Sequence, residues 1–437
     1  MKLQLSLLCL FFLLPGILQA AEPVSRLQDV LLESTDIEQN SLRDDNGQTL
    51  WEIAPVNLPT DPHGDNNHFG WPVATALEGR IIVVHRAMPG HNVSLSGHAD
   101  RYTTYSMILS SRDGGQTWSK PYDIRDCMTP EARNRGGSVP LCHRYKFSPD
   151  NTSPLGYKLH LNAIGTTRKG NVILVSDHGV FRSSDTGDTW QHLETAFRED
   201  HHTGPIVYVG PRIIDHPTLG LLLFGHHVAY DGAKRGDIIA GQLAVYQSRD
   251  EGESWKNITQ QLPDSCLQAE PNAILHQSEL YFIARNQDSL QLMQIRWKPG
   301  TPPTIHETNM RSKRSVDTSD LVFNPVTERF EVIQSNRTEM SVNLFSLASE
   351  NWEDADWRFE ACLLNRGGDF YRNADGFHTG GAVLDQSKNQ QHIFIYAGAP
   401  GGPAGVFRIS RTLATPQLVQ GIQDRKEKHL TSPPSKP

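Results

Sequence analysis

The chain has 437 residues, 21% of them charged and 37% hydrophobic, and its 35 Gly and 27 Pro together make about one residue in seven. That composition excludes a coiled coil, a collagen-like chain and a wholly disordered chain, and it suits short strands joined by many turns. A net charge of −8 excludes recruitment to nucleic acid or to an anionic membrane by bulk charge, so an acidic ligand would need a local cluster of Arg and His.

At the start, Lys2 precedes the apolar run Leu3 to Leu14, which ends in Pro15-Gly16 and Leu18-Gln19-Ala20-Ala21. A basic start, a short apolar core and small residues at its end are the parts of a secretory signal peptide. Residues 1–20 are therefore expected to be removed and the protein to be secreted, to the medium or to a periplasm. The run is short for a transmembrane helix, and no later stretch approaches twenty apolar residues. Residues 21–45 read as an N-terminal extension, 46–420 as one folded domain and the Lys-, Ser- and Pro-rich 421–437 as a disordered tail. Cys9 leaves with the leader. Cys127, Cys142, Cys266 and Cys362 remain, an even number that in an exported chain permits two disulfides in three connectivities. A local Cys127–Cys142 link would leave Cys266 with Cys362.

Along the rest of the chain a repeat sets the organisation. Ser111-Arg112-Asp113-Gly114-Gly115-Gln116-Thr117-Trp118 recurs as Ser183-Ser184-Asp185-Thr186-Gly187-Asp188-Thr189-Trp190 and as Ser248-Arg249-Asp250-Glu251-Gly252-Glu253-Ser254-Trp255, and a damaged copy stands at 346–352. The pattern suits a tight turn in which Asp accepts backbone N–H groups, Gly takes the positive φ and Trp buries a large face beneath. Before each copy lies a strand-like run: 104–109, 179–182 and 242–246. Strand clusters are expected near 69–118, 157–190, 206–255, 270–297, 318–346 and 376–411, with 51–56 closing the ring. Radial repetition of this kind predicts an all-β fold, a β-propeller of six blades in preference to seven. The Arg-, Gly- and Pro-rich 125–154 reads as a long loop between the first two units.

The S-x-D-x-G-x-T-W turns resemble the Asp boxes of the sialidase-like superfamily, where they are structural and lie away from the catalytic face. The resemblance extends over most of the chain. It implies that Glu270-Pro271-Asn272 through Tyr281-Phe282-Ile283-Ala284-Arg285-Asn286 carries a site Glu and a carboxylate-clamping Arg. It also implies a further Arg in Val84-His85-Arg86, an acid/base at Asp100, and a third clamp at Arg329, with Arg337 as the alternative. Two parts depart from the pattern. His68-Phe69-Gly70-Trp71-Pro72 stands where sialidases open with F-R-I-P, so the first clamp Arg is missing. Asp375-Gly376-Phe377-His378-Thr379-Gly380-Gly381 stands where the nucleophilic Tyr is expected, with Tyr371 nearby but out of pattern.

Histidines instead fall where inner strands begin or end: His68, His85, His160, His226 and His378. Together with Asp100 they are the catalytic candidates, with Arg86, Arg285, Glu270, Arg329, His143 and Tyr208 as substrate-binding candidates. β-Elimination from a uronate requires a neutralised carboxylate, removal of the C5 proton and protonation of the leaving oxygen, which Arg with His or Tyr can supply. Ulvan lyases, which are similar in fold, use such a set. The leading expectation is thus a secreted polysaccharide lyase acting as a monomer on an acidic polysaccharide. A divergent sialidase-type hydrolase is the alternative, and a non-catalytic glycan-binding propeller the third. No cofactor is required by these readings. A structural calcium or zinc ion would be compatible with an exported propeller, although there is no CxxC pair or EF-hand spacing, and the neighbours His226-His227 point to opposite faces of a strand. Sequons stand at Asn92, Asn151, Asn257 and Asn336.

Overall fold

A computed structural model describes residues 41–43, 49–60, 66–77, 79–88, 105–134, 162–176, 178–194, 208–230, 238–262, 268–286, 290–313, 316–337, 340–365, 375–376, 380–385, 388–398 and 403–413. Strands dominate. After β1 (Ser41–Arg43) and β2 (Thr49–Asn57), the first antiparallel unit is β3 (His68–Leu77), β4 (Arg80–Met88), β5 (Tyr105–Ser111) and β6 (Tyr122–Asp123). The second is β7 (Ala163–Thr166), β8 (Val172–Ser176), β9 (Gly179–Ser183) and β10 (Gln191–Leu193). The third is β11 (Tyr208–His216), β12 (Gly220–Tyr230), β13 (Ile238–Ser248) and β14 (Lys256–Asn257). The fourth is β15 (Ala269–His276), β16 (Glu279–Arg285), β17 (Gln291–Trp297) and β18 (Thr304–Arg311). The fifth is β19 (Asp320–Asn324), β20 (Arg329–Asn336), β21 (Ser341–Ala348) and β22 (Arg358–Asn365). In the sixth, β23 (Asp375–Gly376) and β24 (Val383–Asp385) pair in succession with β25 (Gln390–Gly398), which pairs with β26 (Ala404–Thr412).

The last unit is completed from the other end of the chain. β2 pairs antiparallel with β26, Trp51 opposite Arg411 and Ile53 opposite Ile409, so the segment expected to close the ring does so. The first strands of the units pack in succession, β3 on β7, β7 on β11, β11 on β15 and β15 on β19; Asp320 at the start of β19 accepts from the Ala382 N–H just before β24, and β24 returns to β3. That closed succession of twisted four-stranded sheets around an axis is a β-propeller.

Burial follows from each strand's place in its sheet. β4, sandwiched between sheets, is buried at every position and reads as a nearly continuous apolar run, Arg80-Ile81-Ile82-Val83-Val84 onward. The outermost β18 buries only part of its surface, and its sequence, Thr304-Ile305-His306-Glu307, is correspondingly polar. The core lies between successive sheets: Val73, Ile82 and Val84 of the first unit meet Ile164, Leu174 and Phe181 of the second, and Phe224 of the third meets Phe282 edge-on at 4.8 Å.

All three complete Asp boxes connect the third strand of a unit to the fourth. In the second, Ser183 Oγ donates to Asp185 Oδ1 (2.7 Å), and Asp185 in turn accepts from the Thr189 N–H (2.9 Å) and hydroxyl (2.6 Å). Each box also receives a cation or donor from the preceding unit. Arg80 reaches Asp188 (2.6 Å), Arg182 reaches Glu253 (2.7 Å), and Arg408 donates to the Gly114 carbonyl (2.9 Å). The boxes therefore fasten units together as well as closing turns. Partial burial pushes the Asp185 carboxyl up, but the hydrogen bonds from Thr189 and Ser183 outweigh it and hold the group at about 2. A carboxyl lower in the folded state than its ordinary value near 3.9 stabilises the fold above that value and loses the contribution as pH falls toward 2. Asp185→Asn is expected to flatten the fall of melting temperature between about pH 4 and pH 2, measured against the parent.

Several expectations change. The damaged fourth copy occupies the equivalent connection in the fifth unit, but without its Asp it forms a 3-10 turn, Ser349–Asp354, that still buries Trp352. The segment read as a long loop from 125 opens with a 3-10 turn, Ile124–Cys127, and a short helix, Pro130–Asn134, started by the Thr129 hydroxyl accepting the Ala132 N–H. The units also run on past 297 and 346 into β18 and β22. Cys127 and Cys362 are thiols, with Sγ donating to the Ile124 carbonyl (3.0 Å) and the Leu364 carbonyl (3.3 Å), so no disulfide forms among the described residues. Cys142 and Cys266 lie outside them. Asn257 and Asn336 are buried, leaving no room for a glycan at those two sequons. No helix of the described residues is long and apolar enough to cross a membrane.

Candidate functional site

The strand register defines two faces. The Asp boxes lie at one, together with the β3–β4, β15–β16 and β19–β20 hairpins; the opposite face carries His68, Arg86, Tyr208, His226, Glu270, Arg285 and Asn336. Three inner strands break register near that opposite face, each at an X-Pro step: Trp71-Pro72 in β3, Gly210-Pro211 in β11 and Glu270-Pro271 in β15. Proline has no N–H to give a ladder, so a bulge is where a strand accommodates it. Trp71 (φ 50°) and Glu270 (φ 54°) occupy left-handed backbone, a conformation that costs a residue with a side chain about 1–3 kcal/mol and clusters at functional sites. At the Glu270 bulge β11 approaches so closely that a Cβ on Gly210 would stand 2.2 Å from the Pro271 carbonyl oxygen.

Toward the boxed face from this opposite end, which we term the mouth, a polar staple joins the inner strands. Arg212 on β11 donates to Asn272 Oδ1 (2.7 Å), to the Leu321 carbonyl (2.9 Å), to the Ala382 carbonyl (2.5 Å) and to both oxygens of Asp320. Asp320, fully buried, also accepts from Asn272 Nδ2 (2.5 Å) and the Ala382 N–H (2.5 Å). One ion pair thus ties the inner strands of the third, fourth and fifth units to the segment that leads into β24.

Above the staple, four charges meet. Glu270 accepts from Arg285 Nη1 at 2.6 Å and from the Thr318 hydroxyl at 2.6 Å. Arg285 also lies 3.9 Å from Asp317, whose Oδ2 accepts from Arg337 Nε (2.8 Å) and Nη2 (2.5 Å). Burial alone would raise the Glu270 carboxyl, but the Arg285 guanidinium and the hydrogen bonds from Arg285 and Thr318 hold it below the usual carboxylate range. Burial would lower Arg285, but the charges of Glu270 and Asp317 and the hydrogen bond to Glu270 together outweigh it and raise the group. Glu270 is therefore an ionised acceptor at neutral pH, and the quartet of Glu270, Arg285, Asp317 and Arg337 carries no net charge. The backbone N–H of Glu270 donates across the bulge to Nδ1 of His226 at 3.1 Å.

Of the residues singled out in the sequence, Glu270, Arg285 and His226 are brought together. Arg86 is fully buried on β4, opposite Gly70 and Ser106, and Ser106 donates to Asn162 at 2.8 Å. His68 is buried beside Trp71 and Tyr396, ring centroids 6.1 and 5.8 Å away. His85 points to the other side of β4 from Arg86, accepts from Asn57 Nδ2 (2.8 Å), hydrogen-bonds the Arg86 carbonyl (3.0 Å), and is pushed down to about 4 by burial. Arg329 does not join Arg285: it begins β20 at the Asp-box end and donates to Ser346 (2.8 Å), whereas Arg337, beyond the far end of β20, reaches the site. Tyr208 is paired opposite His226 at the mouth end of β11. His143, His160, His378 and Asp100 lie outside the described residues. Asp317 and Thr318 were not anticipated, although the polar run Asp317-Thr318-Ser319-Asp320 at the entry to an inner strand was a readable signal. Among the described residues no group of three or more His, Cys, Asp or Glu is arranged to hold a metal ion.

No protein-family profile and no curated protein matches the sequence. Solved structures do match. A protein of unknown function from Dyadobacter fermentans superposes with a TM-score of 0.53 at 16% identity, over 82% of this chain and 99% of its own. The Hadza microbial sialidase Hz136 gives 0.53 at 14% identity, over 83% of this chain and 68% of its own. The Penicillium chrysogenum α-L-arabinanase, solved with arabinobiose, gives 0.52 at 11% identity, over 82% and 97%. The fold is that of the sialidase-like β-propellers. Within the propeller the Asp boxes lie on the face away from the Glu270 quartet.

Proposed function

We propose that the propeller is a glycan-cleaving enzyme whose working carboxylate is Glu270, oriented and kept ionised by Arg285 and Thr318. The observation that carries this is the mostly buried 2.6 Å pair of Arg285 with Glu270, which itself stands on left-handed backbone, opposite the boxed face. A fixed anion of this kind can stabilise the positive charge that develops at a sugar's anomeric carbon, or activate the group that attacks it. The matching acid would come from another segment of the same face, and Asp100 is the sequence candidate. An exported enzyme acting outside the cell agrees with the leader-like first twenty residues.

Hydrolysis is preferred to elimination on the state of two of the candidate histidines, His85 and His226. A general base needs an unoccupied lone pair. His85 has both ring nitrogens in hydrogen bonds within the protein, and His226 Nδ1 accepts the Glu270 amide. Elimination from a uronate stays as the second reading, because Arg285 and His226 stand at the same mouth. Since the quartet is neutral, it favours an acidic sugar no more than a neutral one.

The test is a panel of uronate-containing, sialylated and neutral glycans with products weighed by mass spectrometry. Hydrolysis adds one water to the summed product mass, and elimination adds none and creates ultraviolet absorbance. Products carrying the added water are expected. Unsaturated products would establish the lyase instead, and retention of a glycan without any product would leave a binding propeller.

A further inference from the structure

The bulge that places Glu270 also takes away its amide's ladder partner. Ala269 pairs with Arg285, and pairing resumes only at Asn272 with Ile283. A buried N–H without an acceptor would cost about 1–3 kcal/mol. The one this residue finds lies on the neighbouring unit: His226 Nδ1, 3.1 Å away at the mouth end of β12. An imidazole nitrogen that accepts an N–H must present its lone pair, so Nδ1 carries no proton and the ring's proton is on Nε2.

We propose that His226 is a positioning residue for Glu270, which it holds in left-handed backbone by accepting the freed amide, and that it does so only as the neutral, Nε2-protonated ring. This rests on Glu270 being the working carboxylate. A proton on Nδ1 would turn the acceptor into a donor facing a donor, release the bulge, and let the carboxylate swing from Arg285 and Thr318. Among the described residues, the groups that neighbouring elements bring toward the ring are Glu270 on β15, with Arg285 beyond it on β16, Tyr208 opposite in register on β11, and the apolar Leu243 on β13. His226 therefore works through backbone geometry, not as the base or acid that its position in the sequence suggested.

Two substitutions and one spectrum test this. Asn offers an oxygen where His has Nδ1 and does not titrate, and Leu offers no acceptor. With a substrate from the glycan panel, His226→Asn is expected to keep most of the parent kcat at neutral pH and to lose a step from the acid limb of the kcat profile. His226→Leu is expected to lose on the order of 10²-fold in kcat at every pH, with KM little changed. In protein labelled with ¹⁵N-histidine, the resonances absent from His226→Asn should show an unprotonated Nδ1 and a protonated Nε2 at neutral pH. A protonated Nδ1, an Asn variant as impaired as the Leu variant, or an unaltered acid limb in the Asn variant would each overturn the proposal. If Glu270→Gln turns over like the parent, the reading of the site fails while the tautomer measured in the spectrum still stands or falls alone.

Discussion

Arg285→Ala is expected to lower kcat/KM by roughly 10²–10³-fold, the size of effect found when one charged or polar donor is taken out of a preorganised site. The reason is specific to Glu270. Its carboxylate is mostly buried and its ionised form is maintained against that burial chiefly by the Arg285 charge, with Thr318 as the remaining side-chain donor. Without the guanidinium the carboxyl moves upward, so the residual activity should also show its acid limb displaced toward neutral pH. Arg285→Lys should restore the charge but not the planar geometry, and recover the limb more fully than the rate. Rate profiles of the three proteins against pH, with melting temperatures alongside, check both parts. A simple loss of folding would move the melting temperature without separating limb from rate.

Asp320→Ala should give the largest loss of stability of any single change at the axis. Arg212, Asn272 and the Ala382 N–H all converge on this one buried carboxylate, and its removal leaves the Arg212 guanidinium without its counter-charge and the Asn272 amide and the Ala382 N–H without this acceptor. Removing one partner of a buried pair costs about 3–5 kcal/mol. For a chain of this size that is a fall in melting temperature on the order of 5 °C. Replacing both partners, Arg212→Met with Asp320→Leu, should be less destabilising than Asp320→Ala, because no uncompensated charge is left inside. Thermal unfolding of the two variants beside the parent decides the matter.

The fold was legible because its information is local and repeated. Each Asp box encodes a turn within eight residues, and three copies with similar spacing leave little choice but radial repetition. The strands β18 and β22 were missed where that signal stops: a Lys298-Pro299-Gly300 turn precedes the first and a 3-10 turn the second, and neither carries a box. The site was half legible. Glu270 and Arg285 share one hairpin, so fifteen residues of sequence already contain their pairing. Arg329 and Arg337 differ only in which end of β20 they occupy, and composition does not tell the end that faces the boxes from the end that faces the mouth. Asp317, Thr318 and Asp320 enter one strand of the fifth unit, whereas Arg212 and Glu270 come from the third and fourth, so only packing of the units brings them together. Of the histidine candidates, alternation directs His85 toward Asn57, and His68 is buried beside Trp71 and Tyr396, while His160 and His378 lie outside the described residues. The X-Pro steps at 71–72, 210–211 and 270–271 were a usable signal, because three inner strands carry a residue that a regular ladder would exclude.

The most direct test of Glu270 as the working carboxylate is the turnover of Glu270→Gln on a glycan that the parent cleaves, measured with the melting temperature of both proteins. Gln keeps the shape and one acceptor for Arg285 but removes the charge. The account predicts a fall in kcat on the order of 10³-fold with folding preserved. Turnover like that of the parent in a folded variant would contradict it and move the chemistry away from the Glu270–Arg285 pair.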